Sequence, residues 1–214
     1  HVTKGNVNVN IDYAYKINDP SSDNNYIYKN GNAITITSSY STKGLGLSLG
    51  LKRLDNMSFR SERNAILQDV NINFITPFTK QQSYSLATIY PYISQPNGEM
   101  GGQLDIFYTI PKKTKLGGKY GTSINVNFSN VFDIERTPLN ESSIIDESGT
   151  LGYNSNFFKR GEKIFQELNI EITKKINRKL KLIGSFICLE NNDKILKSCV
   201  DDMSNIAGQK PVIT

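Results

Sequence analysis

Apolar side chains recur at every second position in one short segment of the chain. Residues 44–54 read GLGLSLGLKRL, in which leucines alternate with glycine, serine and lysine. Alternate side chains of a β-strand point to opposite faces, so this spacing predicts a strand with one apolar face and one small, polar face. The pattern excludes an amphipathic helix, whose apolar residues recur every three or four positions.

The same alternation recurs along almost the whole chain. It predicts about nine strands, and no segment has the spacing of an amphipathic helix. The predicted strands lie at residues 11–17, 34–40, 45–51, 70–74, 84–92, 104–110, 124–128, 164–172 and 180–186. The sequence therefore predicts an all-β chain.

The predicted connections alternate between long and short. The long, polar segments are 18–32, 54–67, 94–101 and 131–162, and the short ones are 43–44, 76–82, 111–118 and 174–179. An antiparallel up-and-down meander has this alternation when the turns at one end are tight. Outer-membrane β-barrels have it systematically, with short periplasmic turns and longer extracellular loops.

Strand length and side-chain type favour a transmembrane outer-membrane β-barrel. Strands of about 9 to 12 residues, tilted at about 40 to 45°, span about 25 Å, which is the height of an apolar membrane band. Polar faces of Gly, Ser, Asn, Thr, Asp and Gln suit the crowded inside of a closed barrel. Tyrosines lie toward strand ends, as in the aromatic belts of membrane proteins, at Tyr40, Tyr84, Tyr90, Tyr92, Tyr108 and Tyr120.

A barrel divides the strand residues between two environments. Residues on the apolar faces are predicted to face lipid, namely Leu45, Leu47, Leu49, Leu51, Ile106, Val126 and Phe128. Residues on the polar faces are predicted to line the lumen, namely Lys16, Lys52, Asp69, Asn71, Asn73, Gln103, Asp105, Asn125, Asn127, Glu167 and Glu171. We expect residues 1–214 to form a single barrel segment that is incomplete at both ends.

A soluble all-β fold is the alternative interpretation. A β-sandwich or a lipocalin-like barrel also alternates apolar and polar residues along its strands. Such a protein would bind a small ligand or a glycan. The alternation by itself leaves both interpretations open, because it does not say whether the apolar face meets a protein core or lipid.

Candidate catalytic chemistry is sparse in this sequence. His1 is the only histidine, so Ser-His-Asp, Cys-His and histidine-based metal chemistry lack a base or ligand. Carboxylates such as Asp105 and Glu167 are better explained by lumen solvation and cross-strand ion pairing than by a paired-carboxylate hydrolase. We expect no enzymatic activity, no cofactor and no metal.

The basic charge of the chain permits anionic partners. The net charge is +5 and the pI is about 9.0. We predict no nucleic-acid partner, because there is no Arg-rich helix or RNP-like aromatic motif. The basic residues gather at two short turns, as Lys112, Lys113, Lys115, Lys119, Lys174, Lys175, Arg178, Lys179 and Lys181. Solvated turn ends are the favoured interpretation, and attraction to a periplasmic protein or to anionic headgroups is the alternative.

Two smaller features remain open. Cys188 and Cys199 flank a predicted hairpin, so they are a candidate disulfide in an oxidising compartment, and two free thiols are an equal alternative. The segment 54–66 mixes Met57 and Phe59 with charged residues. We expect it to be an ordered loop that folds over the barrel mouth or forms an outside binding surface.

Several longer motifs resemble one protein family. GLGLSLGLKRLDNMSFRSER, TKQQSYSLATIYPY, QPNGEMGGQLDIFYTI and TKLGGKYGT are similar to an uncharacterised family of Bacteroidetes outer-membrane β-barrel proteins. The resemblance covers residues 33–130 closely and 150–190 loosely. It implies a place in the outer membrane of a Gram-negative bacterium, lipid as a partner, and a longer parent chain, and it supplies no catalytic residues. With the strand pattern, it predicts a porin-like, non-enzymatic segment serving transport, secretion support or surface structure, with a periplasmic or surface protein as a further candidate partner.

Overall fold

The computed structural model describes residues 1–65, 71–72, 75–80 and 92–192. Within these residues, one eight-stranded antiparallel sheet has each strand paired with the next along the chain. The strands are β1 Val2–Lys4, β2 Val7–Lys16, β3 Gly31–Thr42, β4 Leu45–Asp55, β5 Gly98–Ile110, β6 Thr122–Thr137, β7 Asn154–Lys175 and β8 Lys181–Asn191. The helical structure in these ranges is one 3-10 turn at Ser22–Asn24. The prediction of an all-β, up-and-down meander is confirmed.

The sheet is open in the described part of the chain. β1 and β8 form its two edges and are not paired with each other there. The predicted closure into a barrel is thus not seen among these residues.

Most strands are longer than those of an ordinary globular protein. β2, β3, β4 and β5 contain 10, 12, 11 and 13 residues, whereas strands of globular proteins usually contain about 5 to 6. β6 and β7 contain 16 and 22 residues, and their pairing continues past Phe132 with several register shifts. These two strands therefore extend as a hairpin beyond the rest of the sheet.

Tight turns and long connections lie at opposite ends of the sheet, as the alternating connection lengths predict. The turns 5–6, 43–44, 111–121 and 176–180 lie at one end, which we call the tight-turn end. The connections 17–30, 56–97 and 138–153 lie at the other, which we call the loop end. Every strand from β2 to β8 runs between these two ends.

Two predicted strands lie mostly outside the described residues. β4 pairs directly with β5 from Leu45↔Tyr108 to Asp55↔Gly98, so no strand lies between them. The predicted strands 70–74 and 84–92 therefore do not lie between β4 and β5, where the chain order of a nine-stranded meander would place them. Most of those residues, and all of 81–91, lie outside the described ranges, and Ile72 is exposed and not in a strand.

Several predicted boundaries also differ from the structure. The predicted loop 94–101 contains the start of β5 at Gly98, and the predicted loop 131–162 contains the end of β6 and the start of β7. Glycines and charged side chains in these strands conceal them from a pattern of apolar residues. The described part of the turn predicted at 76–82 joins no two strands of the sheet.

The buried apolar side chains gather near the loop end. Tyr92, Val131, Ile164 and Phe165 form one cluster. Ile27, Ile134 and Tyr153 form a second cluster, against which Met100 packs. Gly152 has a positive φ of 75°, and a Cβ there would lie 2.7 Å from Cδ1 of Ile27. This glycine allows the last long connection to pass close over the second cluster.

Candidate functional site

The strand register gives the sheet one polar face and one apolar face. Lys52 lies beside Gly101, and Asp105 lies beside Asn127, which lies beside Asn169. Directly opposed residues of neighbouring strands point to the same side. The polar face therefore carries eight of the residues predicted to line a lumen, Lys16, Lys52, Gln103, Asp105, Asn125, Asn127, Glu167 and Glu171. Asn71 instead lies exposed in the connection after β4, and Asp69 and Asn73 lie outside the described residues.

The middle of the polar face is buried. Asn127, Glu167 and Asn169 are 0%, 2% and 1% exposed. The carboxylate of Asp105 accepts hydrogen bonds from Asn127 Nδ2 at 2.6 Å and from Gln103 Nε2 at 3.0 Å. Residues of these types are usually exposed on a soluble protein. The polar face is thus an interior surface lined by hydrogen-bonded polar groups.

Lys52 forms a buried ion pair on this face. Its Nζ lies 2.6 Å from Oε1 of Glu99, and the two side chains are 1% and 0% exposed. The same ammonium group donates to the carbonyl oxygen of Thr76 at 2.9 Å and to Oγ of Ser94. Three acceptors therefore serve the three protons of the ammonium group, which is the condition for keeping a buried lysine charged.

Groups other than Lys52 also donate hydrogen bonds to the carboxylate of Glu99. Its Oε2 accepts a hydrogen bond from the hydroxyl of Tyr92 and another from the backbone N–H of Gln95 at 2.6 Å. Burial raises the pKa of the Tyr92 hydroxyl, and the neighbouring Glu99 carboxylate raises it further, so the hydroxyl remains a donor. The ring of Tyr92 stacks on Phe165 of β7 with centroids 5.0 Å apart.

The connection between β4 and β5 lies on the polar face. We call its residues 75–80 and 92–97 the inner connection. A Cβ at Gly50 of β4 would lie 3.0 Å from Cε2 of Phe78, and the Lys80 ammonium group lies 4.0 Å from the Glu171 carboxylate of β7. The glycine between leucines in GLGLSLGLKRL therefore makes room for an aromatic ring, and the inner connection reaches from β4 to β7.

Side chains at the loop end join the long connections into one layer. We call residues 17–30, 56–65 and 138–153 the loop cap. Asn56 Nδ2 donates to the carbonyl oxygen of Lys29 at 2.6 Å, and Asn97 Nδ2 donates to that of Asp23 at 2.7 Å. The backbone N–H of Tyr28 donates to the carbonyl oxygen of Thr150 at 2.7 Å. The described part of the segment 54–66 thus packs across the end of the sheet.

Asp55, the last residue of β4, attaches the loop cap to the sheet. It is 1% exposed. The Tyr153 hydroxyl donates to its Oδ1 at 2.7 Å, and the Ser155 hydroxyl and the Arg53 guanidinium group donate to its Oδ2. Burial raises the pKa of the Tyr153 hydroxyl, and the Asp55 carboxylate adds to the rise. The hydroxyl therefore remains protonated, and its hydrogen bond to Asp55 attaches the connection 138–153 to the sheet.

The variant Tyr153→Phe is expected to lower the free energy of unfolding by about 1.5 to 3 kcal/mol, because a hydrogen bond to a charged group is lost while Asp55 stays buried. Urea unfolding measures this loss, and limited proteolysis of residues 138–153 reports local loosening. Tyr28→Phe, at an exposed tyrosine of the loop cap, is the matched control and is expected to change stability by less than about 0.5 kcal/mol. Equal stability of the two variants would contradict this role of Tyr153.

The residues predicted to face lipid all lie on the apolar face. Leu45, Leu47, Leu49, Leu51, Ile106, Val126 and Phe128 occupy successive cross-strand positions there. Leu49 and Leu51 are 42% and 44% exposed. The exposed apolar surface continues onto the outer strands, where Ile11 of β2 and Phe186 of β8 are each 58% exposed.

The described residues show few other chemical features. They contain no group of three His, Cys, Asp or Glu side chains placed to hold a metal ion. Cys188 of β8 is exposed and makes no disulfide with the other described residues. Cys199 lies outside the described residues, so the candidate disulfide is not tested. No helix in these ranges is long and apolar enough to cross a membrane.

Sequence reasoning missed the residues that organise the interior and the loop cap. Glu99, Asn97 and Tyr153 all lie in segments predicted to be loops. A usable signal was the density of Asn, Asp and Gly in DNMSFR and QPNGEMGG, because such residues commonly bond to nearby backbone groups.

The described residues define an all-β protein with an open antiparallel meander sheet, a buried polar face and an exposed apolar face. The chain belongs to a family of unknown function, DUF6029, whose model matches residues 1–209. This agrees with the resemblance to an uncharacterised family. Neither a curated protein nor a solved structure matches the chain.

Proposed function

We propose that this chain forms part of the wall of an outer-membrane β-barrel in a Gram-negative bacterium of the Bacteroidetes. The apolar face lies against lipid acyl chains, and the polar face is turned toward the inside of the barrel. The observation that carries the proposal is the inverted burial of the sheet, in which Lys52 and Asn169 are buried while Leu49 and Phe186 are exposed. Burial is normally the reverse in water, whereas barrel strands alternate apolar-out and polar-in.

The dimensions of the sheet support this proposal. Strands of 10 to 13 residues with the usual barrel tilt span about 25 Å. Tyr40 lies on the apolar face near the tight-turn end, and Tyr13, opposite Ile34, lies on the same face toward the loop end. These tyrosines are about 20 Å apart along the strand direction, which is about 15 Å of height at a tilt of about 45°, so both lie within the apolar band and not at its two borders.

The open edges of the sheet fit a piece of a larger barrel. A strand edge carries unpaired N–H and C=O groups, which lipid cannot satisfy. Within the described part of the chain, β8 is an edge strand of the sheet, so we propose that further strands pair with it and close the barrel. The wall described here then has its tight turns in the periplasm and its loop cap outside.

The inner connection favours a structural role over an open pore. Phe78 and Tyr92 lie over the polar face, and the Lys80 ammonium group forms an ion pair with Glu171 of β7. We propose a non-enzymatic barrel whose inside is occupied by its own chain, serving surface structure or secretion support, with transport dependent on movement of this connection.

Fractionation of cells that express the full-length protein tests the proposal. We expect the protein in the outer-membrane fraction, extractable only with detergent, and running at a different apparent mass in gel electrophoresis before and after boiling. Folded barrels show this heat modifiability because their strands resist detergent until heated. Recovery in the soluble fraction without detergent would overturn the proposal in favour of a soluble β-sandwich or lipocalin-like barrel that binds a small ligand or glycan.

A further inference from the structure

Basic side chains cluster at the tight-turn end, in two segments of the chain that contain no acidic residue. Segments 109–122 and 173–181 contain neither Asp nor Glu. Their basic side chains are all exposed and are Lys112, Lys113, Lys115, Lys119, Lys174, Lys175, Arg178, Lys179 and Lys181. We call this set the basic rim. The end of β1 and the turn before β4 add Lys4 and Lys43 at the same end.

The two turns of the basic rim form one surface. The ammonium groups of Lys119 and Lys175 lie 5.8 and 5.5 Å from the centroid of the same ring, that of Tyr120. The ion pairs found among the described residues involve other lysines and arginines, such as Lys52, Arg60 and Lys163. The positive charge of the rim is therefore not neutralised by ion pairs with the carboxylates of the described residues.

The basic rim begins where the apolar face ends. Lys174 lies two residues after Ile172 on the same side of β7, and it is opposite Leu182 of β8. Ile172 and Leu182 are 45% and 51% exposed. A lysine at such a border lays its apolar stem along the surface and places its ammonium group at the level of the headgroups.

We infer that the basic rim binds the phosphate groups of anionic phospholipids in the leaflet on the tight-turn side of the membrane. This inference rests on the proposed function. The continuity of the rim with the apolar face favours a lipid over an acidic protein, since an amphiphile contacts both surfaces at once. Each lysine near an anionic membrane surface strengthens binding by about fivefold.

Spin-labelled lipids test this inference on the full-length protein reconstituted in phosphatidylcholine vesicles. Electron paramagnetic resonance separates lipids in contact with a membrane-spanning protein from bulk lipids, and gives the relative association of phosphatidylglycerol and phosphatidylcholine. We expect a preference for phosphatidylglycerol that weakens as salt is added, because salt screens exposed charges. The double variant Lys115→Glu/Lys179→Glu is expected to reduce the preference by about fivefold or more.

The control carries the same charge change at the loop end. Arg63→Glu/Lys159→Glu alters two exposed cations far from the basic rim, and we expect it to keep the preference. Equal association of the two lipids with the unaltered protein would overturn the inference, as would an unchanged preference in Lys115→Glu/Lys179→Glu. Binding of polyglutamate without a preference for phosphatidylglycerol would assign the rim to an acidic protein instead. Absence of any contact-lipid signal, with either lipid, would overturn the proposed membrane wall itself.

Discussion

The variant Glu99→Ala is expected to lower the free energy of unfolding by about 3 to 5 kcal/mol. Its carboxylate is the partner of the buried Lys52 ammonium group and also accepts hydrogen bonds from Tyr92 and Gln95. Without it, the buried Lys52 ammonium group has no carboxylate partner to compensate the cost of burying its charge. The inner connection also loses the hydrogen bonds that Tyr92 and Gln95 donate to Glu99 of β5. Urea unfolding of the protein folded in detergent micelles or vesicles measures the loss.

A double-mutant cycle separates the cost of leaving the Lys52 charge unpaired from the cost of losing the packing of the Glu99 side chain. Lys52→Met removes the ammonium group and keeps most of the side-chain volume, and Glu99→Gln keeps a polar group of similar shape. We expect the double variant Lys52→Met/Glu99→Gln to be more stable than Glu99→Gln alone, because an ion pair removed as a whole leaves no uncompensated charge. If Glu99→Gln and the double variant were equally unstable, loss of hydrogen bonds and not the unpaired charge of Lys52 would be the cause. If Glu99→Ala had no effect, the buried pair would not be present in the folded protein.

The two faces of the sheet could be predicted from the sequence because a strand has a period of exactly two. The alternation in residues 45–51 assigns each leucine to one side, whatever the neighbouring strands are. In an up-and-down meander, chain order is also spatial order, so the strand that contains Ile106 lies beside the strand that contains Val126. The pairing of Leu47 with Ile106 does not follow in the same way, because the nine predicted strands place 70–74 and 84–92 between these residues. Local rules alone therefore sufficed for the two faces of the sheet.

The interior contacts could not be predicted in this way, because they join residues far apart in sequence. Lys52 reaches Glu99 and Thr76, and Tyr153 reaches Asp55. No period relates such positions, and the side chains are the same types that occupy solvated loops. The alternation in 70–74 describes an extended backbone and does not say whether a neighbouring strand is present. Pairing of β4 with β5 leaves no strand between them, and most of residues 70–74 and 84–92 lie outside the described ranges.

Replacing Leu49 by arginine is expected to lower the free energy of unfolding in a lipid bilayer by about 2 to 4 kcal/mol. Leu49 lies near the middle of β4, between Ser38 and Leu104 on the neighbouring strands. Its side chain is 42% exposed. At the midplane of a bilayer, a guanidinium group loses its hydration, and this loss is largest furthest from the headgroups. Urea unfolding of the full-length protein in vesicles measures the change.

Leu45→Arg is the matched control, since it makes the same substitution on the same face of the same strand at the edge of the tight turn. Near the headgroups, the cost of arginine falls to about 0 to 1 kcal/mol. If the apolar face lies against lipid, we therefore expect the two variants to differ clearly in their free energy of unfolding. If it meets water, we expect no difference, because arginine at a half-exposed surface position changes stability by less than about 0.5 kcal/mol. An equally large loss at both positions would instead show that a protein surface covers the leucines, so the pair of variants distinguishes lipid, water and protein as the neighbour of the apolar face.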